Sequence, residues 1–419
     1  MPRLPAPLEP AFPLVKRAHR LATRRVGAVT RRAAARRPGP RSVPARGTDS
    51  SVETVALEPG AVRLHPGGPG EQLRRPMPQG TPEGHWFFDQ VRRFDVPARF
   101  TLEIDQGLVV GRDGAHITPG GILDYETSTY FGVDGWREHP IYLRRRLPEA
   151  QRVDGSLLSL ATRGTWGNYY HVVMDLLPRL GVFRECLPDV RPDRYLVNRN
   201  TTYARELLAL VGLGDVPTLE PGRRTAYRAE RLFVPCINNP HTRAPQWTTD
   251  WLRANLPPRR TTGLPRRLYV TRGSRKHTRR VDNEAEVVSL LARHGFTVFD
   301  PGAHPVQDQI DHFAAAEVIV APHGAGLTNL NFCRPGVRVL ELFAPGYLNP
   351  GYWAITANIP GSVYRYLVAP AEIRPEGTVM NRVYDDLMVP LADLESALAD
   401  LLGTGATAST PPPTQEDLS

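Results

Sequence analysis

The sequence is poor in cysteine and has no long apolar run, and both absences exclude classes of protein. Its three cysteines, Cys186, Cys236 and Cys333, lie far apart and form no Cys-x-x-Cys pair. This pattern predicts neither a disulfide framework nor a zinc knuckle, and it favours a reducing compartment. No apolar run approaches the roughly 18 to 20 residues of a membrane helix. No apolar stretch with a cleavage site follows the first basic residues, so we also expect no secretory signal.

Acidic residues are scarce at one end of the chain. The net charge is +9, but residues 1–46 contain 11 Arg and one Lys against the single acid Glu9, which leaves about −2 for the rest. This segment and the Pro- and Gly-rich stretch after it predict a disordered basic tail over residues 1–82. Two interpretations stay open: a solvated segment, or electrostatic attachment to an anionic membrane through an amphipathic helix from Leu14 to Arg36.

The length of 419 residues predicts two domains, because it exceeds the usual size of one. Strand-like and helix-like segments alternate after residue 155, and the apolar strands of the second half predict parallel sheets in an α/β fold. The breaker cluster 257–265 suggests domains over 83–260 and 261–403, with a loose end over 404–419. The predicted strands are Ser156–Ala161, Tyr195–Asn198, Arg231–Pro235, Arg267–Thr271, Phe296–Phe299, Val318–Ala321 and Val337–Phe343. The predicted helices are Asn168–Glu185, Tyr203–Val211, Thr248–Leu256, Asn283–His294, Gln307–Ala316 and one beginning at Gly324.

A glycine-rich turn follows the most apolar of these strands, and it is typical of an anion site. After Pro322 come His323, Gly324, Ala325 and Gly326, and then a predicted helix. Glycines let a ligand approach the backbone, and free N–H groups and the helix dipole face it. The bland alternative is a turn that only packs a helix on a strand. On the anion-site interpretation, His323 contributes a donor, and the first helical turn adds the side chains of Thr328 and Asn329.

Two further groups of residues belong to the same half of the chain. A cationic loop follows the strand that ends near Thr271, and its Arg272, Arg279 and Arg280 are candidates to hold phosphate groups. A solvated loop is the alternative. Glu341 lies between apolar residues of a strand, so it needs a partner if it is buried, and ribose hydroxyls are one candidate.

A possible base for an acceptor hydroxyl lies in the first half. His171 and Asp175 are four residues apart on a predicted helix, which places them on one face. The same spacing also fits a purely structural hydrogen bond, and the spacing alone leaves the two interpretations open.

These motifs together resemble glycosyltransferase family 61. The resemblance rests on three ordered motifs between about Thr162 and Phe343: Gly167-Asn-Tyr-Tyr-His171 with Asp175 and Pro178-Arg179; Arg279-Arg280-Val-Asp-Asn283-Glu284; and Pro322-His-Gly-Ala-Gly-Leu-Thr-Asn329 with Pro335-Gly336 and Glu341. It implies two Rossmann-like domains facing a cleft, the GT-B arrangement, with the nucleotide sugar bound by the second. It also implies inverting transfer without a metal, which agrees with the absence of an Asp-x-Asp motif. The family's Ser and Glu-Gln pair are replaced here by Pro305 and Asp308-Gln309.

The resemblance also implies substrates and a location. The expected donor is a nucleotide sugar, UDP-linked by analogy, with no other cofactor, and the expected acceptor is a glycan or lipid-linked glycan of a capsular or cell-surface polysaccharide. The expected location is cytoplasmic, at the inner membrane face if the basic tail binds lipid. A catalytically silent nucleotide- or sugar-binding protein of the same fold is the alternative. A nucleic-acid-binding protein is a weaker one, because the positive charge is confined to the tail.

Overall fold

The computed structural model describes residues 12–37, 39–237, 239–273, 279–369 and 385–403. Eighteen strands are found in these residues: β1 (Arg46–Thr48), β2 (Val62–Pro66), β3 (Glu71–Arg74), β4 (Gln79–Thr81), β5 (Arg93–Val96), β6 (Phe100–Asp105), β7 (Leu108–Val110), β8 (Ala115–Ile117), β9 (Ile122–Asp124), β10 (Gln151–Ser159), β11 (Arg194–Leu196), β12 (Thr218–Leu219), β13 (Ala226–Pro235), β14 (Arg267–Val270), β15 (Thr297–Phe299), β16 (Val318–Pro322), β17 (Arg338–Phe343) and β18 (Val363–Val368). The α-helices of the same residues are α1 (Phe12–Arg36), α2 (Ser51–Leu57), α3 (Trp86–Asp89), α4 (Tyr169–His171), α5 (Leu177–Cys186), α6 (Thr202–Leu210), α7 (Gln246–Asn255), α8 (Glu284–Arg293), α9 (Val306–Ala315), α10 (Gly351–Thr356) and α11 (Leu391–Leu402).

The strands of the second half form a parallel sheet, as predicted. Its order is β15-β14-β16-β17-β18-β4, and every neighbouring pair is parallel. Its central strand β16 is buried along its whole length, because helices cover both faces of the sheet. One prediction on this sheet needs adjustment: the segment Ala325–Phe332 is a 3-10 helix and not an α-helix.

The sheet of the first half is mixed and not purely parallel. Strands β10 to β13 are joined by parallel pairs, whereas β6 and β7 run antiparallel to β13. The strands that pair antiparallel with β13 and with one another lie within residues 62–124, which precede the first predicted strand. Short strands such as β7 have little local signal, because their stability comes from pairing with strands distant in sequence.

The prediction of disorder over residues 1–82 is wrong for the described part of that segment. Val62 in β2 is fully buried, and β2 pairs with β6. Strand β4 joins the other sheet beside β18, and the Tyr366 hydroxyl donates a hydrogen bond to the Pro82 carbonyl. A Pro- and Gly-rich composition therefore does not exclude strands here, because both sheets supply edges to which these residues pair. Residues 1–11 and 404–419 lie outside the described residues.

Helix α1 lies against the folded body. Its residues Thr23, Gly27 and Ala34 form a buried face, and Arg24 forms an ion pair with the buried Glu138. No helix among the described residues is both long and apolar enough to cross a membrane.

One hydrophobic core extends across both halves. It contains Leu158 and Phe233 from the first sheet together with Val270, Ile319 and Val339 from the second. The two halves are therefore packed against each other through shared apolar side chains.

Candidate active site

A cleft lies at the carboxyl ends of β14, β15 and β16, where ligands of open α/β sheets bind. It encloses about 200 Å³. Residues of the first half close its other side, so both halves line it. The lining residues are Tyr169, Thr202, Tyr203, Glu206, Val270, Thr271, Arg272, Asp300, Pro301, Gly302, His304, Gln309, Pro322, Gly324, Ala325, Gly326 and Leu327.

The glycine turn forms one wall of this cleft. Gly324 is the N-cap of the 3-10 helix Ala325–Phe332, and the first N–H groups of a helix have no partner within it. A Cβ at position 324 would collide with the Arg272 guanidinium, and one at position 326 would lie 3.0 Å from the Pro301 side chain. Both glycines are therefore needed for close packing, and the first makes room for a cation.

Two of the three predicted arginines converge on this turn. Arg272 Nη1 donates to the His323 carbonyl at 2.9 Å, and Arg279 Nε donates to the same oxygen at 3.1 Å. Arg280 does not join them. Its backbone N–H donates to Asp386 Oδ1 at 2.8 Å, and its exposed guanidinium lies 3.8 Å from Asp386 Oδ2. The structure therefore places Arg272 in the cleft wall, with Arg279 bound to the same carbonyl behind it, whereas Arg280 contacts Asp386 instead.

The side chain of His323 points into a buried pair and not into the cleft. Its Nδ1 lies 2.5 Å from Glu341 Oε1, and Tyr364 donates its hydroxyl hydrogen to the other oxygen of Glu341. Glu341 is fully buried. The expected contact between Glu341 and a ribose is therefore wrong, because His323 and Tyr364 occupy both carboxyl oxygens.

Burial also determines the charge of this pair. It lowers the pKa of His323 well below the usual value, and the nearby Arg279 and Arg272 lower it further. Burial raises the pKa of Glu341 well above its usual value, in spite of the hydrogen bond from Tyr364 and the charge of Arg279. The His323 imidazole is therefore uncharged at neutral pH, and its side chain binds Glu341 instead of supplying the donor to a phosphate that was expected.

Thr328 and Asn329 are also structural and not exposed to the cleft. The Thr328 hydroxyl donates to the Ala325 carbonyl at 2.7 Å. Asn329 accepts a hydrogen bond from the Tyr169 hydroxyl at 2.7 Å and donates to Gln309 Oε1 at 3.0 Å. Both residues are fully buried. The predicted ligand contacts are thus replaced by internal hydrogen bonds, of which the one from Tyr169 to Asn329 joins the two halves.

The predicted pair of the first half forms. His171 Nδ1 lies 2.6 Å from Asp175 Oδ2, and Asn239 Nδ2 donates to Asp175 Oδ1 at 2.7 Å. Asp175 is buried, but 12% of the His171 side chain is exposed. Because Nδ1 faces the carboxylate, the hydrogen bond favours the tautomer in which Nε2 is the unprotonated nitrogen.

Two backbone features place this imidazole. A π turn, Val172–Leu176, separates α4 from α5 and contains Asp175. Such turns occur mostly as single turns within α-helices and are common at functional sites. Gly164 has a φ of +78°, and a Cβ there would collide with the His171 ring. The loop can therefore pass close to the imidazole only with glycine at this position.

Aromatic rings link the two histidines across the halves. The ring of His171 lies 5.3 Å from that of Tyr170, which lies 6.0 Å from that of Tyr352. The ring of Tyr352 in turn lies 4.9 Å from that of His323. Packed aromatic rings thus connect the pair of the first half to the residue that precedes the glycine turn, although His171 and Asp175 do not themselves line the cleft.

Several residues of this site were not predicted from the sequence. Asn239, Glu206 and Tyr364 carry no local motif, although the Asn-Pro dipeptide at 239–240 indicates a turn. The turn 300–302 was detectable, because it follows a predicted strand and must lie at the same sheet edge as the glycine turn. Among the described residues, no group of three or more histidines, cysteines or acids is arranged to hold a metal ion.

Residues 169–340 match the family model described as Glycosyltransferase 61. No curated protein sequence gives a significant match to the chain. The matched segment begins at Tyr169, at the first-half wall of the cleft, and contains both the glycine turn and the His171–Asp175 pair. Enzymes of this class transfer a sugar from a donor to an acceptor. The chain therefore carries a domain of glycosyltransferase family 61, and the protein is a glycosyltransferase.

Proposed function

We propose that the enzyme transfers a sugar from a nucleotide sugar to a glycan hydroxyl with inversion of configuration and without a metal. The observation that carries this proposal is the position of Arg272 beside Gly324 at the carboxyl ends of β14 and β16. A helix N-terminus and an arginine fork meet there, and each favours a diphosphate.

The donor diphosphate would lie in the cleft against the glycine turn. Arg272 and Arg279, which converge on the His323 carbonyl, would stabilise the negative charge that develops on the departing nucleotide diphosphate. The cleft volume of about 200 Å³ is smaller than the roughly 300–1,000 Å³ of a typical ligand site, so the whole donor would extend beyond it.

His171 would act as the base, with Asp175 as the group that orients it. His171 Nε2 takes the proton of the acceptor hydroxyl, and the hydroxyl oxygen attacks the anomeric carbon as the bond to the diphosphate breaks. Asp175 holds Nδ1 at 2.6 Å and stabilises the imidazolium that forms. The partial exposure of His171 and the burial of Asp175 favour this division of roles.

The finer features of the proposal come from family analogy. We propose a GT-B arrangement of the two sheets, a UDP-linked donor, and a glycan or lipid-linked acceptor in capsular or cell-surface polysaccharide synthesis. We further propose a cytoplasmic enzyme. The basic helix α1 would favour the inner membrane face, because Val29 and Leu21 are exposed on it together with several arginines.

A thermal-shift panel of UDP, GDP, CMP and their sugars tests the donor site. We expect one nucleotide to stabilise the wild type and the stabilisation to be lost in Arg272→Ala. Arg260→Ala, which removes an exposed arginine from the linker, is the matched control and should respond as the wild type does. A well-folded sample that responds to no nucleotide would contradict the proposed function, and a silent binding protein would respond without turnover.

A further inference from the structure

Two cationic side chains that the proposed transfer does not use lie on loops that contact the His171–Asp175 pair. Arg163 and Arg243 lie on different loops of the first half, and both are partly buried. We propose that these two arginines bind an anionic group of the acceptor, a carboxylate or a phosphate. The inference rests on the proposed function, because it describes the acceptor of the same site.

Arg163 is linked to the imidazole of the proposed base through the ring of Phe131. Its guanidinium carbon lies 4.8 Å from the centroid of the Phe131 ring, and that ring lies 5.1 Å from the His171 ring. One aromatic ring therefore separates the cation from the imidazole. The next residue, Gly164, is the one that lets the loop pass against His171.

Arg243 belongs to the loop that holds Asp175. Asn239, whose amide donates to Asp175, accepts a hydrogen bond from the Ala244 N–H at 3.0 Å. Between them His241 and Thr242 have positive φ values of 51° and 59°. Non-glycine residues rarely adopt such values, and strain of this kind is concentrated at ligand and active sites.

Neither arginine has an acidic partner in the described part of the chain. The Nε atom of each is buried there without a hydrogen bond, and neither guanidinium forms an ion pair with a described carboxylate. Arg243 lies over the Phe94 ring at 5.4 Å, and that ring lies 6.0 Å from the His241 ring. A buried donor without a partner is costly, and both side chains are only partly buried, so an anion that binds their guanidinium groups would be favoured.

Arg163 and Arg243 both influence the same side chain, His241. Burial lowers the pKa of His241, and Arg243 and Arg163 lower it further, with Asp134 as the acid that opposes them. Two cations against one acid leave a net positive charge beside His241, on the loop that holds Asp175. Arginine forks bind carboxylate and phosphate with two parallel hydrogen bonds, so either anion fits, whereas a neutral sugar would leave these donors unsatisfied.

The test compares acceptor binding to the whole enzyme. The probes are a hexasaccharide of alternating glucuronate and N-acetylglucosamine, the same hexasaccharide with its carboxyl groups reduced to alcohols, and glucose 6-phosphate. Binding is measured by calorimetry for the wild type, Arg163→Gln/Arg243→Gln and the control Arg145→Gln/Arg146→Gln. The control removes two charges from exposed positions.

We expect the wild type and the control to bind an anionic probe at least tenfold more tightly than the reduced hexasaccharide. The Arg163→Gln/Arg243→Gln variant should lose this preference. Preference for the hexasaccharide over the sugar phosphate would identify a carboxylate site, and the reverse a phosphate site. Equal binding of charged and reduced probes, an unchanged preference in the double variant, or no binding of either anionic probe would overturn the proposal.

Two readouts separate this inference from the proposed function. The thermal shift with nucleotides reports the donor cleft and should be the same in the double variant, which also shows that this variant is folded. Anion preference without any nucleotide response would leave the arginine site standing and contradict the transferase proposal. A nucleotide response without anion preference would do the opposite.

Discussion

Two histidine–carboxylate pairs, one in each half, have nearly the same contact and very different surroundings. His171 lies 2.6 Å from Asp175, and His323 lies 2.5 Å from Glu341. The side chain of His171 is 12% exposed and faces loops, whereas His323 packs between the rings of Phe343 and Tyr352. A histidine and a carboxylate thus form a more accessible imidazole in one half, and in the other an imidazole that is 7% exposed and enclosed by aromatic rings.

In the proposed mechanism the surroundings, and not the contact itself, separate the base from the structural pair. The enclosed His323 contributes through its backbone, because its carbonyl receives Arg272 and Arg279. The hydrogen bond between the His323 side chain and Glu341 fixes the position of this residue and so of its carbonyl. In His171 it is the side chain that is accessible. Asp175 binds its ring, Asn239 holds Asp175, and 12% of the His171 side chain stays exposed.

The largest expected effect comes from removing the accessible imidazole. His171→Ala should lower the transfer rate by about 100- to 10,000-fold, because positioned general bases contribute on this scale. The thermal shift with nucleotides should stay unchanged. The matched control is His65→Ala, since His65 also pairs with a carboxylate, Glu103 at 2.8 Å, far from the cleft. Equal losses in both variants, measured in an acceptor assay, would break the comparison.

A smaller effect is expected at the turn that the enclosed pair supports. Gly324→Ala should weaken donor binding by about 10- to 100-fold, because the new Cβ would displace the Arg272 guanidinium, and a hydrogen bond to a charged group contributes roughly 1.5–3 kcal/mol. Gly60→Ala introduces a methyl group into open space and is the control. The measurement is the KM for the donor, and an unchanged KM in Gly324→Ala would show that Arg272 does not hold the donor.

The pH dependence of stability sharpens the account of the enclosed pair. Because burial lowers the pKa of His323 and raises that of Glu341, the folded pair holds one proton between the usual values of 4.5 and 6.5. The unfolded pair also holds one there, on His323, so this pair adds no slope in that window. In Glu341→Gln the folded site holds none, so stability is lost as the pH falls below about 6.5.

The measurement is the free energy of unfolding in urea. The gap between wild type and Glu341→Gln should widen by about 1.4 kcal/mol per pH unit as the pH falls from about 6.5 to about 5.5. Tyr364→Phe removes the other hydrogen bond to Glu341 without removing a group that titrates in this range, so its gap should be constant. Parallel curves for Glu341→Gln would mean that Glu341 is ionised in the folded protein.

The smallest expected effect concerns an arginine that the family motif singles out. Arg280→Ala should change donor affinity by no more than about threefold, because an exposed ion pair such as the one with Asp386 contributes only about 0–1 kcal/mol. The measurement is a titration of the stabilising nucleotide against Arg280→Ala and Arg279→Ala. It compares an arginine that contacts Asp386 with a neighbour that contacts the His323 carbonyl. A larger loss in Arg280→Ala would reverse their assigned positions.

Four strands of the second sheet, β14 to β17, were predicted because they are apolar runs between helical periods, whereas β18 and β4 of the same sheet were not predicted. The strand Val318–Pro322 and the helix Glu284–Arg293 lie within a residue of their predicted bounds. The strands before residue 151 were not predicted, because strands of three or four residues such as Gln79–Thr81 depend on a distant partner. Composition alone then suggested disorder.

At the site, the motifs located the residues but not the direction of their side chains. The sequence singled out His171, Asp175 and Arg272; in the structure Arg272 lines the cleft, and His171 and Asp175 form a pair in the first half. The predicted partners of Glu341 and Asn329 were wrong, because both residues are buried and form hydrogen bonds with Tyr364 and Tyr169. Such contacts follow from tertiary packing, which a local pattern does not contain.

The strand β4 has a consequence for the construction of chimeric enzymes. A recombination point in the linker at residues 257–265 would leave β4 with the wrong parent, although β4 forms the edge of the second sheet. Phe88, in the segment that follows β4, is buried with its ring 5.4 Å from the Trp353 ring. The exchange would therefore also separate Phe88 from the Trp353 of its own parent. A transplant of the second half should therefore include the segment 79–89, inserted as a separate crossover.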